Sequence, residues 1–383
     1  MKVLQLIKTT RGATWALRQV RELVKLGHDI HVALPDEDGH AQAYRDVGAS
    51  VHVLPVDVAH DRNPLNMVRR ALGLRRLVKR LRPDIVHSHF LGITLTMRLG
   101  LRGIDVPRLF QVPGILHLER GLTRIGEKVI ATKRDYWAAS CALTRRIYEG
   151  QGIAPERVGL AYYPTDFAGV EPRKGTGALH EELGLDSDTR LIGMVAYAYA
   201  PKKWLGYERG IKGHEDLIDA IAILRERGHK VHGVFVGGAW VGAEQYFEDI
   251  KAYGAAKLGA HGSFLGTRHD VADLYPDIAV AVHPSHSENL GGAVESLALG
   301  RPTVATDIGG FADVVVPGVT GWLARAKDPA DLADKIEQAL GDPRAEEMAL
   351  AGRNLVIEKL DSPRAARQLS DIYEAIGRGA PLP

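Results

Sequence analysis

A chain of 383 residues exceeds what one ordinary core organises and suits two domains of about 150–200 residues each. Its composition, 45% hydrophobic and 25% charged, is that of a folded globular protein and excludes a disordered one. The single cysteine, Cys141, excludes an internal disulfide and a cysteine-built metal cluster.

The opening MKVLQLIKTTRGA is interrupted by Lys8 and has no small-residue cleavage site, so it does not read as a signal peptide. No run of eighteen apolar residues occurs, and the expected setting is cytoplasmic. The net charge of +2 hides an asymmetry. Residues 1–170 hold 26 Lys+Arg against 16 Asp+Glu, a charge of +10, which leaves −8 on the remainder. Opposite signs point to two domains with different partners, the basic one suited to something anionic or to a membrane surface.

Strand-like runs stand at Lys2–Ile7, Ile30–Leu34, Val51–Pro55, Asp84–Ser88, Leu109–Val112, Tyr136–Ser140 and Val158–Tyr162. Between the first two, Ala16, Val20, Leu23 and Val24 recur at helical spacing until Gly27 ends the helix. Apolar strands separated by amphipathic helices predict a parallel sheet covered on both faces. Residues 167–178 then read as an interdomain linker, rich in Gly, Pro and charge. The alternation restarts at Leu191–Ala196, Val231–Val236, Ser263–Leu265, Ile278–His283 and Thr303–Thr306. Helices follow at roughly 329–341, 344–359 and 363–377. The prediction is α/β: two Rossmann-like doubly wound domains, 1–166 and 167–362, with a last helix (about 363–383) placed to pack back on the first.

The fourth of these later strands runs into PSHSENLGGAVESLALG. Ligands of open α/β sheets bind beyond the carboxyl ends of strands. Gly291-Gly292 opens a helix whose N-terminal amides suit a diphosphate. Glu295, about one turn in, is too near that anion to complement it and suits neutral ribose hydroxyls. Glu288 lies further out, where a donor sugar would sit. Alone, the pair reads equally as two solvent-facing glutamates at a helix start. The glycine turns that follow, Gly309-Gly310, Gly318 and Gly321, shift the weight toward a ligand.

This stretch resembles the donor signature of the family 4 glycosyltransferases, retaining enzymes of the GT-B fold. Pro284, Ser285, Glu288, Gly291, Glu295, Gly300, Asp307, Gly309, Gly310, Gly318 and Gly321 carry the likeness. One departure stands out: six residues separate the two glutamates where the family usually has seven. The resemblance implies two domains facing a cleft, acceptor on the first and nucleotide-sugar donor on the second. It implies that Glu288 contacts the donor sugar, Glu295 the ribose, and Asn289, Leu290, Gly291 and Gly292 the diphosphate. Lys212, in GIKG, would neutralise the leaving diphosphate. The family's preceding arginine is missing, because AYAYAPKKWLGYERG carries an insertion; Lys203 or Arg209 is left to replace it. Phe264 and Thr267 would border the base through their backbone. Gly12 would bring the first loop close to the phosphates, and His117 would stand near the donor sugar. Asp166 takes the place of a family aspartate, as a hinge cap. For His87 and His89, packing or hinge contact weighs above acceptor contact.

Residues 69–82 hold seven Lys/Arg in fourteen positions, with Met67, Ala71, Leu74, Val78 and Leu81 on one stripe. Two readings stand for this basic helix, 65–82: a solvated outer helix, or peripheral attachment to anionic lipid. Nucleic acid is disfavoured, since no aromatic residues interleave the charge. The expected activity is therefore a metal-independent retaining transfer from a UDP- or GDP-sugar to a hydroxyl of a glycan or lipid-linked acceptor, with no cofactor. Such an enzyme would serve bacterial surface polysaccharide or glycoconjugate synthesis. A GT-B epimerase or phosphorylase, a transferase acting on a small soluble acceptor, and a non-enzymatic sugar-binding protein are the alternatives.

Overall fold

Near-continuous apolar strands joined by helices with one apolar stripe bury both only if helices cover the two faces of a parallel sheet. The computed structural model has this architecture twice. It describes residues 1–57, 63–112, 114, 117–118, 121–203 and 206–383. One unit comprises Met1–Asp166 and Lys359–Pro383, the other Phe167–Glu358.

The first unit holds β1 (Lys2–Leu6), β2 (Asp29–Leu34), β3 (Ser50–Val53), β4 (Ile85–Ser88), β5 (Arg108–Gln111), β6 (Asp135–Ala139) and β7 (Val158–Leu160). They pair in parallel in the order β3-β2-β1-β4-β5-β6-β7. All seven expected runs are present, with ends moved by one or two residues. On one face lie α1 (Thr14–Lys25) and α14 (Ser362–Arg378), joined to the sheet through Val3, Val20, Leu23, Leu109, Leu369 and Tyr373. The opposite face carries α3 (Pro64–Leu81) and α4 (Leu91–Gly100) on Leu4, Leu74, Val78, Val86 and Met97. Helix α1 stops as its sequence implies. Gly27 takes φ +86°, the Gly27 amide donates to Val24 O at 2.9 Å and the His28 amide to Leu23 O at 3.1 Å, a Schellman cap. Asp166 accepts from Ser362 Oγ at 2.6 Å and pairs with Arg21 at 2.7 Å, fastening the point where the chain leaves this unit to the point where it returns.

The second unit holds β8 (Arg190–Val195), β9 (Val231–Val236), β10 (Gly262–Gly266), β11 (Ile278–His283), β12 (Thr303–Thr306) and β13 (Trp322–Ala324), in the order β10-β9-β8-β11-β12-β13. Strand β13 was not expected; three residues between glycine turns are too few to show a period. The principal helices are α8 (His214–Glu226), α9 (Glu244–Leu258), α12 (Pro329–Gly341) and α13 (Ala345–Leu360). Ile192, Leu217, Ile221, Phe235, Val280, Val304 and Ile336 form the core. The supposed linker is bound to this unit: Arg353 donates to Val170 O at 2.7 Å, and the Gly177 amide donates to Asp277 at 2.9 Å. Chain order reverses between β8 and β11, the kind of switch point beside which open α/β sheets bind ligands. Among the described residues, no helix is long and apolar enough to cross a membrane.

Candidate functional site

Two glycines bracket the loop that leaves β11. At Gly213, φ is +75° and a Cβ would stand 2.0 Å from Pro284 O. At Gly309, φ is +57° and a Cβ would stand 1.8 Å from Glu288 O. Both positions therefore need glycine because protein backbone approaches them, and Gly309 needs no ligand to explain it. Hydrogen bonds complete the clamp: the His286 amide donates to Ile211 O, the Gly310 amide to Asn289 O (both 2.7 Å), and Thr306 Oγ1 to Ser285 O at 2.6 Å.

This clamp fixes Glu288 opposite Lys212, whose ammonium is bonded to Glu288 Oε2. The Asn289 amide donates to Glu288 Oε1 at 3.1 Å, so both carboxylate oxygens are held. The pair is mostly buried, and the Lys212 ammonium stands 5.9 Å from the Tyr199 ring centre. Beyond Glu288 the chain turns through Leu290, whose side chain is buried, and Gly291 into α11 (Ala293–Ala298). That helix has six residues, too short for a substantial dipole. What it offers is local: the amides of Leu290, Gly291, Gly292 and Ala293 have no acceptor among the described residues. Glu295 follows in the first turn. Its side chain keeps contact with solvent, yet protein crowds its carboxyl; burial raises its pKa, opposed by the Tyr275 hydroxyl.

Beneath this turn lies His283, whose Nε2 is 2.9 Å from Ser296 Oγ, itself 2.9 Å from Thr303 Oγ1. Burial, with Lys212 nearby, lowers its pKa to about 3, so it is neutral. Sequence reasoning read His283 only as the last strand residue; its inward place follows from the two-residue alternation with Ala281.

The other predicted residues of this unit stand apart from the Lys212–Glu288 pair. Arg209 is held by Asp216 at 2.5 Å and Asp219 at 2.8 Å on α8, so its charge is already answered. Lys203 is exposed, and no contact joins it to Lys212 or Glu288. Phe264 turns its ring into the core, stacked on Phe235 at 4.6 Å, which leaves only its backbone for a ligand. Thr267 stands beside Gly238 at the ends of β10 and β9.

Gly12 and His117 belong to the first unit. Gly12 is exposed, with φ +73°. His117 turns into a buried network: its Nε2 is 3.2 Å from Tyr148 Oη and 3.8 Å from Glu127. Burial lowers its pKa against the pull of Glu127. His87 and His89 are fully buried; His87 Nδ1 meets Tyr373 Oη at 2.6 Å, and Trp15 packs edge-on against His89 at 4.8 Å. Packing was the favoured reading for both. Among the described residues, no group of three or more His, Cys, Asp or Glu is arranged to hold a metal ion.

Residues 207–354 match the family described as glycosyl transferases group 1, and residues 12–163 match the glycosyl transferase 4-like domain. The chain is 30% identical over 312 residues to the D-inositol 3-phosphate glycosyltransferase of Xylanimonas cellulosilytica, covering 76% of this chain and 71% of that one. Its likeness to the Thermomonospora curvata enzyme of the same name is 29% over 269 residues, 67% of this chain and 60% of the relative's length. Among solved structures, HepE of Anabaena in complex with UDP-glucose superposes with a TM-score of 0.76 at 20% identity, over 98% of this chain and 100% of that one. Sucrose-phosphate synthase of Thermosynechococcus elongatus gives 0.75 at 18%, over 99% and 100%.

Proposed function

The chain belongs to the group 1 glycosyltransferases of family 4, with the GT-B fold, and on that premise we propose that it transfers a sugar with retention at the anomeric carbon and without a metal ion. The donor would be a UDP- or GDP-sugar, and the acceptor a hydroxyl of a glycan or lipid-linked saccharide in bacterial glycoconjugate synthesis. The observation that carries this reading is the Lys212–Glu288 pair beside four amides without acceptors.

A departing nucleoside diphosphate needs its growing charge met where it forms. Lys212 and the amides of Leu290 to Ala293 would meet it, and Glu295 would accept from the ribose hydroxyls. On donor binding the diphosphate would compete for Lys212, leaving Glu288 to orient the sugar and to stabilise positive charge at the anomeric carbon. The acceptor oxygen would approach from the face the diphosphate leaves. The bond from the anomeric carbon to phosphate oxygen breaks as that to the acceptor oxygen forms, and the acceptor proton passes to the departing phosphate oxygen. The UDP-glucose complex of HepE favours uridine as the base to test first.

The reading extends to peripheral contact with anionic lipid through α3. Leu65, Val68 and Leu72 are exposed at helical spacing, together with Leu99 of α4. Arg69, Arg76, Lys79 and Arg80 are exposed on the same helix, beside a groove of about 670 Å³ lined by Met67, Val68, Ala71, Leu72, Leu95 and Leu99.

A thermal-shift panel of UDP-, GDP- and ADP-sugars, followed by the anomeric configuration of the product by NMR, tests the assignment. A product inverted relative to the donor would overturn it. Rapid, complete turnover of the donor with no acceptor present would favour an epimerase or phosphorylase.

A further inference from the structure

Asp216 stands in the first turn of α8, where an acidic side chain is favoured, yet it is almost without solvent. Each of its carboxylate oxygens is bound to a different loop. Oδ1 accepts from Arg209 Nη1 at 2.5 Å, and Oδ2 lies 2.6 Å from His286 Nε2. Arg209 comes three residues before Lys212, and His286 two before Glu288. One carboxylate therefore ties the loop that carries Lys212 to the loop that carries Glu288.

Both arms of this tie are braced. Arg209 takes a second partner, Asp219, at 2.8 Å, one turn further along α8. The Gly210 amide donates to Tyr246 Oη at 2.9 Å, and that hydroxyl donates to Glu215 Oε1 at 2.7 Å. The His286 side chain is buried, and the Tyr207 ring lies nearly parallel to it at 6.3 Å and 21°. Burial pushes the Asp216 carboxyl up, but His286 and Arg209 together outweigh burial and hold it below its ordinary value. Asp216 is thus ionised, and an ionised carboxylate only accepts, so the proton of the shared bond sits on His286 Nε2.

In the structure Lys212 and Glu288 hold each other. That bond is lost once a diphosphate takes the ammonium, as in the reaction proposed above. The bridge through Asp216 uses neither of those side chains, so it persists when they part. Its value lies in the precision that transfer demands, since a displacement of about 1 Å can lower a rate by about 10²-fold.

We propose that Asp216, with Arg209 and His286, is a positioning device that keeps Lys212 and Glu288 in register after the donor has separated them. This rests on the transferase reading of the Lys212–Glu288 site.

Asparagine offers one acceptor oxygen where aspartate has two, so Asp216→Asn can keep Arg209 or His286 but not both. The test uses the full chain, with UDP titrations giving the number of competent sites and the Kd. Turnover is measured with the sugar nucleotide of the thermal-shift panel that reacts, and kcat is taken per UDP-binding site. Asp216→Asn and His286→Ala should each lower kcat at least tenfold while the Kd for UDP stays within fivefold. His286→Gln, whose Nε2 can still donate to Asp216, should recover most of the loss. Asp219→Asn removes a partner of Arg209 without cutting the bridge and should leave kcat within threefold. A smaller fall than tenfold, a Kd that rises as much as kcat falls, or a Gln variant no better than Ala overturns the device. Should Asp216→Asn not fold, the His286 variants decide by the same limits. Hydrogen exchange with UDP bound gives a readout free of turnover: amides of 210–213 and 284–288 should exchange at least tenfold faster in Asp216→Asn. If the unaltered protein turns over no sugar nucleotide, the transferase reading falls, and equal exchange in the two proteins would then overturn the bridge as well.

Discussion

Lys212 and Glu288 lie 76 positions apart in sequence, yet the ammonium of one is bonded to the carboxylate of the other. Each arrives by a glycine-clamped loop, one leading into α8 and the other leaving β11. If the pair divides as proposed, Lys212 answering diphosphate and Glu288 the sugar, the two substitutions should fail differently. Lys212→Ala should lower kcat by about 10²–10³-fold, the usual effect of removing a charge-stabilising group. Glu288→Gln should lower kcat with UDP affinity retained. A loss of UDP binding in Glu288→Gln equal to that in Lys212→Ala would refute the division.

Charge on the leaving group is met in this reading by an ammonium and backbone amides. Activity in 5–10 mM EDTA should then match the untreated rate. An absolute requirement for Mn²⁺ or Mg²⁺ in a steady-state assay would contradict the mechanism.

Buried histidines held neutral, His89, His214 and His283 among them, give stability a pH dependence. Burial lowers His89 and His283 to about 3 and His214 to about 4, against an ordinary value of 6.5. The unfolded chain therefore binds more protons than the folded one between roughly pH 6.5 and those values, so stability is full above that window and falls as pH drops through it. Each imidazole contributes a slope of up to about 1.4 kcal/mol per pH unit. Thermal melts at pH 7, 6 and 5 should show a falling Tm, and His283→Asn should flatten the fall. A Tm independent of pH over this range would show that these rings are not held neutral.

Glu127 anchors a buried polar network in the first unit. It pairs with Arg98 at 3.0 Å and accepts from Trp137 Nε1 at 2.7 Å and Tyr148 Oη at 3.2 Å, while Arg98 and Arg108 also pair with Asp135 at 3.2 and 2.8 Å. Glu127→Ala leaves Arg98 short of a partner in a site with almost no solvent, a change that costs about 3–5 kcal/mol. Chemical denaturation of the variant checks this; a loss under 1 kcal/mol would mean that water enters.

Attachment to lipid through α3 would need both its apolar stripe and its charge. Co-sedimentation with phosphatidylglycerol vesicles should exceed that with phosphatidylcholine and weaken in high salt. Val68→Asp with Leu72→Asp should reduce it several-fold without altering UDP binding. Equal sedimentation of the double variant would assign α3 to the solvated outer-helix reading.

Much of the fold was legible because its signals are local. Strand runs, the stop at Gly27 and the helix expected at 329–341 each depend on a few adjacent residues. Glu288, Gly291, Gly292 and Glu295 were legible for the same reason, as one strand–turn–helix. Arg209 was not: its distance from Lys212 is small in sequence, but Asp216 and Asp219 lie one turn apart on α8 and hold its guanidinium. His117 was read from position alone, and Tyr148 from another segment draws it inward; the Phe264 ring packs on Phe235, which leaves the backbone reading of that residue as it was.

The two doubly wound domains, the strand–turn–helix around Glu288 and the departure from the family at AYAYAPKKWLGYERG were readable from the order of residues. Periodicity and turn chemistry are carried by consecutive residues, so no tertiary information was needed. It took the folded chain to show that Gly309 yields to the Glu288 carbonyl, that Lys212 meets Glu288, and that Tyr197, Tyr199 and Trp240 pack together. Those outcomes depend on which distant strands pair and in which register, and a one-residue slip in the pairing of β8 with β9 would turn both tyrosines to the opposite face.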